Sequence, residues 1–164
     1  MAIFLDSANP QHAADAFPLG FLAGVTTNPA LLALTEVLVV NEHEAAALAE
    51  DSESAAAADW PALARRLFRL GPSAVIITLG DQGAYLNDGA TEASLPAHKV
   101  TVADPTGAGD AFCGAVAAEL ARGAPLAEAV RLGNAAGALA VTVTGAEPAL
   151  PRRAAVERLL AQDG

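Results

Sequence analysis

Two apolar runs, Val37-Leu-Val-Val40 and Ala74-Val-Ile-Ile-Thr-Leu79, restrict the possible folds of this chain most strongly. Both read as strands whose hydrophobicity is continuous rather than alternating, so both faces need cover. Interleaved helices supply that cover. Trp60, Leu63, Leu67 and Leu70 fall on one stripe of a helix that Gly71-Pro72 stops. Helical segments are also expected over Pro10 to Leu22, Glu42 to Glu50, Gly107 to Arg122, Leu126 to Ala140 and Arg152 to Ala161, with a helix turn at Pro29 to Leu34. Ala2 to Leu5 and Gly83 to Asn87 read as further strands, and Ala97 to Val102 as extended. Asp51 to Asp59 and Gly145 to Pro151 read as loops. The expected class is α/β, with a largely parallel sheet in one domain spanning residues 1–164.

Composition narrows the function. The 164 residues suffice for one domain with a real core, and a second full domain is not expected. Apolar residues make up 53% but aromatics only 4%, so helix packing through small residues carries much of the core. The net charge of -10 argues against nucleic acid and anionic membrane, which need a positive footprint. Phosphate ligands stay possible, because backbone N–H groups hold them without side-chain charge. Cys113 is the single cysteine, which excludes an intrachain disulfide and fits a reducing cytoplasm; it reads as a small buried hydrophobe rather than a reactive thiol. His12, His43 and His98 lack metal-ligand spacing. No signal peptide is read at the start, and Ala135 to Val143 is too short to span a bilayer.

Asp104-Pro-Thr-Gly-Ala-Gly-Asp110 carries the chemistry. It lies where an extended segment gives way to a helix of small residues, and a helix start has spare backbone donors. Gly107 and Gly109 permit backbone angles or close approaches that a side chain would prevent. Asp110 falls in the first helical turn, where the dipole favours its ionised form and leaves it available as a base. The N–H groups near Gly107 can meet the charge that develops in phosphoryl transfer. The structural alternative makes Asp110 a helix cap and Asp104 a turn cap.

This segment, through Phe112, resembles the signature of the ribokinase-like carbohydrate kinases. The resemblance implies Asp110 as the catalytic base, Gly107, Ala108 and Gly109 as the anion hole, and a monovalent cation (K+) near Asp104 and Thr106. Asn41-Glu-His-Glu44 is similar to the family's Asn-x-x-Glu motif, which organises magnesium and phosphate through water. Thr78-Leu-Gly-Asp-Gln-Gly83 is similar to the strand and turn beside the nucleotide, implicating Thr78, Gly80 and Gly83. Asn134 matches a helix residue near the nucleotide base. Each has a structural alternative: Asn41 and Glu44 as a helix cap, Gly80 and Gly83 as turn residues, Asn134 as a polar residue on a packed helix. The implied cofactors are ATP and Mg2+, and the implied acceptor is a sugar or another hydroxyl compound.

The resemblance covers about residue 36 to the end. Phe4-Leu-Asp-Ser-Ala-Asn9 and Gly24-Val-Thr-Thr-Asn-Pro29 instead resemble the opening of the small transaldolases, with Asp6, Thr26 and Asn28 at their substrate site. The expectation is therefore a three-layer ribokinase-like half-domain over 36–164, extended by a transaldolase-like β-α-β segment over 1–34 and joined near Ala30 to Glu36. Lys99, the only lysine, lies in the kinase-like part, so aldolase chemistry is not expected. Three functional readings stay open: an ATP-dependent sugar kinase, an inactive truncated or chimeric domain that at most binds nucleotide, and a scaffold. A bare sheet edge or apolar face would favour homo-oligomers.

Overall fold

A computed structural model describes residues 3–4, 22–24, 35–49 and 59–162, and the chain divides into two compact units, 1–79 with 85–94 and 80–84 with 95–164. The sheet strands are β1 (Ile3–Phe4), β2 (Leu22–Gly24), β3 (Val37–Asn41), β4 (Ala74–Thr78), β5 (Ala84–Asn87) and β6 (Glu92–Leu95). Their order is β2-β1-β3-β4-β5-β6. β1 runs parallel to β2 and β3, and β3 runs parallel to β4 in unbroken register from Val37–Ala74 to Asn41–Thr78. Only a few residues join β4 to β5 and β5 to β6, too few for a parallel crossover, so this end of the sheet is antiparallel. The sheet is thus largely parallel, as expected from sequence, with an antiparallel end.

β4 carries the centre of the first unit. Val75, Ile76 and Ile77 are fully buried, and each such side chain contributes about 1.5–3 kcal/mol. α1 (Glu42–Leu48) and α2 (Trp60–Phe68) bring Ala45, Ala49, Leu63, Ala64 and Leu67 into one core cluster with Leu38, Val40 and Tyr85. The Asp59 carboxylate caps α2 by accepting the Ala62 N–H at 3.0 Å. Arg65 on α2 then forms a two-pronged ion pair with Glu92 on β6, at 2.7 and 2.8 Å. Tyr85 and Asn87 on β5 donate to the same carboxylate, each at 3.2 Å. These donors, Arg65 foremost, hold Glu92 below the usual carboxylate range, while burial and the nearby carboxylate raise the Tyr85 phenol.

The second unit is helical: α3 (Ala108–Ala121), α4 (Leu126–Ala140), the single turn α5 (Ala146–Ala149) and α6 (Arg153–Gln162). α3 and α4 approach closely because Gly133 has no side chain; a Cβ there would stand 2.8 Å from Val116 and 2.9 Å from Phe112. Ala111, Ala135, Ala136 and Ala140 join Leu132 and Val156 in the core between helices. Glu119 is buried on α3 and paired with Arg153 of α6, whose guanidinium pKa is raised by that partner.

The expected helices over Glu42–Glu50, Trp60–Leu70, Gly107–Arg122, Leu126–Ala140 and Arg152–Ala161 are present with slightly shifted ends. β6 was not anticipated, the stretch read as a loop over Gly145–Pro151 contains the turn α5, and Ala97–Val102, read as extended, pairs into no strand. Nearly all of the helix expected over Pro10 to Leu22 and of the loop expected over Asp51 to Asp59 lies outside the described residues, as do the helix turn expected over Pro29 to Leu34 and Asp6, Thr26 and Asn28.

Candidate active site

In the first unit, β3 and β4 end side by side at Asn41 and Thr78. The carboxyl ends of parallel strands are where α/β sheets commonly place ligands. Asn41 caps α1: its Oδ1 accepts the N–H groups of His43 and Glu44, both at 2.9 Å. Glu44 Oε2 accepts the Asn41 N–H in return, at 2.8 Å, which closes a capping box. The structural alternative for this pair is therefore realised, and it also fixes a partly buried carboxylate at the strand end. Thr78 Oγ1 donates to the Val40 carbonyl at 3.4 Å.

In the second unit, α3 begins in the opposite manner. Its cap residue is Gly107, at φ +82°, and no side chain caps the helix. A Cβ on Gly107 would be strained by that angle and would stand 3.1 Å from Ala146 Cα. The Ala108 N–H is taken by the Pro105 carbonyl at 3.3 Å, whereas the Gly109 and Asp110 N–H groups have no acceptor among the described residues. The Asp110 side chain is exposed in this same turn, and no atom approaches Gly109 within 4 Å of a hypothetical Cβ.

Asp104 ties the approach to that helix. Its Oδ1 accepts the Thr106 N–H and its Oδ2 accepts the Gly145 N–H, both at 2.9 Å. The Ala103 and Asp104 N–H groups donate to the Val141 carbonyl at 2.7 and 3.1 Å. The Thr106 hydroxyl, followed by the two backbone donors, lowers the Asp104 carboxyl below its ordinary pKa.

The remaining candidates have structural tasks. Gly83, at φ +97°, lets the Leu95–Ala97 backbone pass; a Cβ would sit 2.1 Å from the Leu95 carbonyl oxygen. Gly80, at φ +55°, faces open space. Asn134 is 7% exposed and donates through Nδ2 to the Leu95 and Pro96 carbonyls at 2.8 and 3.1 Å. Sequence reasoning missed Gly145 and Val141 as the partners that fix Asp104. Their contribution is a backbone N–H and a backbone carbonyl, which no side-chain motif announces.

Among the described residues no group of three or more His, Cys, Asp and Glu side chains could hold a metal, and no helix is long and apolar enough to cross a membrane.

The model of the pfkB family carbohydrate kinases matches residues 11–153. The chain is 41% identical to a ribokinase of Schizosaccharomyces pombe over 117 residues, covering 70% of this chain and 37% of that protein. It is 45% identical to an aminoimidazole riboside kinase of Salmonella typhimurium over 100 residues, covering 58% of this chain and 31% of the relative. Among solved structures, Arabidopsis thaliana ribokinase, complexed with ribose and ATP, superposes with a TM-score of 0.77 at 28% identity, covering 97% of this chain and 55% of that one. Salmonella enterica aminoimidazole riboside kinase, complexed with aminoimidazole riboside and an ATP analogue, gives 0.73 at 32% identity over 98% of this chain and 52% of that one. The chain thus spans about half the length of these solved kinases and less of the curated relatives.

These matches correct the expected architecture. The family model crosses the supposed seam at 30–36 without a break, and the solved kinases cover nearly all of this chain. The transaldolase-like segment, the join and the half-domain grafted onto it are overturned; a ribokinase-like α/β fold runs over nearly the whole chain. Phe4–Asn9 and Gly24–Pro29 misled because short motifs of this kind recur across unrelated families. The chain belongs to the pfkB family of carbohydrate kinases.

Proposed function

We propose that this chain carries the nucleotide and base end of an ATP-dependent kinase acting on a hydroxyl of a sugar or ribosyl compound. The uncapped start of α3 carries this reading: two backbone donors without acceptors stand in one turn with an exposed carboxylate. Asp110 would take the acceptor's proton as its oxygen attacks the γ-phosphorus. The new P–O bond forms as the bond to the β-phosphate oxygen breaks, and ADP leaves. The Gly109 and Asp110 N–H groups would meet the charge on the transferring group. The kinases solved with ribose and ATP, and with aminoimidazole riboside and an ATP analogue, support this acceptor class.

Glu44 suits a hard cation: its Oε1 has no partner among the described residues, while Oε2 is fixed by the Asn41 N–H. Mg2+ usually keeps several waters and substrate phosphates rather than a full protein cage, so a single carboxylate is enough. When bound, Mg2+ would neutralise phosphate charge. Asp104 and Thr106 are the proposed neighbours of a K+ ion, and Thr78, Gly80, Gly83 and Asn134 the nucleotide side. A cytoplasmic setting is supported by the single cysteine. Self-association draws support only from exposed Val102, Val143 and Leu150 among the described residues.

Calorimetric titration with ATP and Mg2+, followed by ADP-release assays over a panel of sugars and nucleosides, tests the proposal. Saturable binding and acceptor-dependent ADP release that Asp110→Ala abolishes would sustain it. Binding without turnover on any acceptor would leave the nucleotide-binding reading. Absence of saturable binding would defeat both.

A further inference from the structure

We infer that Asn134 is a positioning residue for the nucleotide, acting through the Leu95–Ala97 strap rather than by touching the nucleotide base. The inference rests on the nucleotide reading above and replaces the direct base contact expected for Asn134. Its amide nitrogen donates to both the Leu95 and Pro96 carbonyls, so the donors that would read a base are already committed. The side chain is 7% exposed, which leaves little of it for a ligand.

The same backbone also passes close against Gly83. At Gly83 the absent side chain is what admits this backbone: a Cβ would lie 2.1 Å from the Leu95 oxygen, 2.6 Å from the Pro96 carbon and 2.6 Å from the Ala97 nitrogen. Gly83 also closes the turn whose Gly80 faces open space, through the Gly83 N–H to Gly80 carbonyl bond at 3.2 Å. Asn134 and the Gly80–Gly83 turn are therefore both linked to the strap, one by side-chain hydrogen bonds and the other by close backbone approach. Loosening the strap is expected to loosen the turn, which the nucleotide reading above sets beside the nucleotide. Leu95–Ala97 has no sheet or helix ladder beyond the last residue of β6, so these side-chain bonds are its principal restraint.

The test compares the intact chain with Asn134→Asp, which keeps the shape but removes both donors, and with Pro96→Gly, which loosens the strap while leaving Asn134 in place. Pro96 is exposed, so the second variant is expected to fold even if the first does not. ATP affinity is measured by calorimetry with Mg2+, and amide hydrogen exchange is followed at Ala97 and Gly83. Both variants are expected to weaken ATP by about fivefold, the factor one net hydrogen bond commands, and to speed exchange at Gly83. GTP is expected to weaken in parallel with ATP, because no base contact is lost. Weaker ATP binding in Asn134→Asp with unchanged exchange, or with altered ATP-to-GTP preference, would overturn the inference in favour of direct contact. Faster exchange with unchanged affinity in Pro96→Gly would overturn it in favour of a purely structural strap. If the intact chain binds no nucleotide, the nucleotide reading itself falls and takes this inference with it.

Discussion

Helices α1 and α3 start in opposite ways. At α1, Asn41 and Glu44 satisfy the free donors of the first turn from within the chain. At α3, Gly107 supplies a left-handed backbone and no capping side chain, and two N–H groups are left without acceptors among the described residues. A helix end of the first kind is complete by itself. One of the second kind leaves its donors to solvent or to an anion. The contrast separates a helix start satisfied by its own side chains from one whose first-turn donors are left open.

The most severe way to probe the α3 side is Asp110→Asn. Turnover should fall on the order of 10²–10⁴-fold, the usual worth of a positioned base. Thermal unfolding should hardly change, because the side chain is exposed. A large drop in the melting temperature would instead make Asp110 a structural residue.

Gly107→Ala comes next. Holding an alanine at φ +82° costs about 1–2 kcal/mol, before any crowding against Ala146. Denaturant unfolding should register that loss, and ATP affinity should weaken with it as the turn shifts. Unchanged stability would mean that the turn relaxes freely, and the contrast with α1 would lose its force.

On the α1 side, Asn41→Ala should cost about 0.5–2 kcal/mol, and Asn41→Asp should restore much of it because an acceptor oxygen returns. If Asn41→Ala abolished nucleotide binding at full stability, the capping box would be incidental and the comparison would invert.

The smallest effect is on pH dependence. Asp104 and Glu92 both have carboxyl pKa values depressed by folding. Each adds stability above its unfolded pKa, and the addition disappears as pH falls through the folded value. Melting temperatures should therefore decline on acidification below the ordinary carboxylate range, with a shallower decline in Asp104→Asn and Glu92→Gln. A steeper decline in either variant would contradict the assigned direction.

Much of this fold could be read from local pattern. The apolar run at Ala74–Leu79 and the helical stripe from Trp60 to Leu70 each identify an element without outside help, and Asn41 with Glu44 already spells a capping box. β6 could not be read, because Glu92-Ala-Ser-Leu95 has little hydrophobic content and becomes a strand by pairing with β5. Ala97–Val102, read as extended, forms no strand. Its neighbourhood is fixed by Asn134 and the Val141 carbonyl, from distant parts of the chain, and not by a ladder. At the candidate site, the residue types of Asp104–Asp110 were legible, but the commitment of Asn134 to the strap was not. The N-terminal misassignment has another root: short sequence motifs recur in unrelated folds, and only a match over most of the chain separates them.

The Glu92 cluster bears on how this protein behaves in concentrated solution. β6 closes one end of the described sheet, where an open strand could template pairing with a neighbouring molecule. Here the strand is only Glu92–Leu95, its first side chain is a carboxylate anchored by Arg65, and Pro96 follows at once without an N–H to offer. A second chain seeking to extend the sheet would find a brief ladder, a retained charge and then a proline. The bonds that fasten α2 to the hairpin thus also give this border resistance to aggregation.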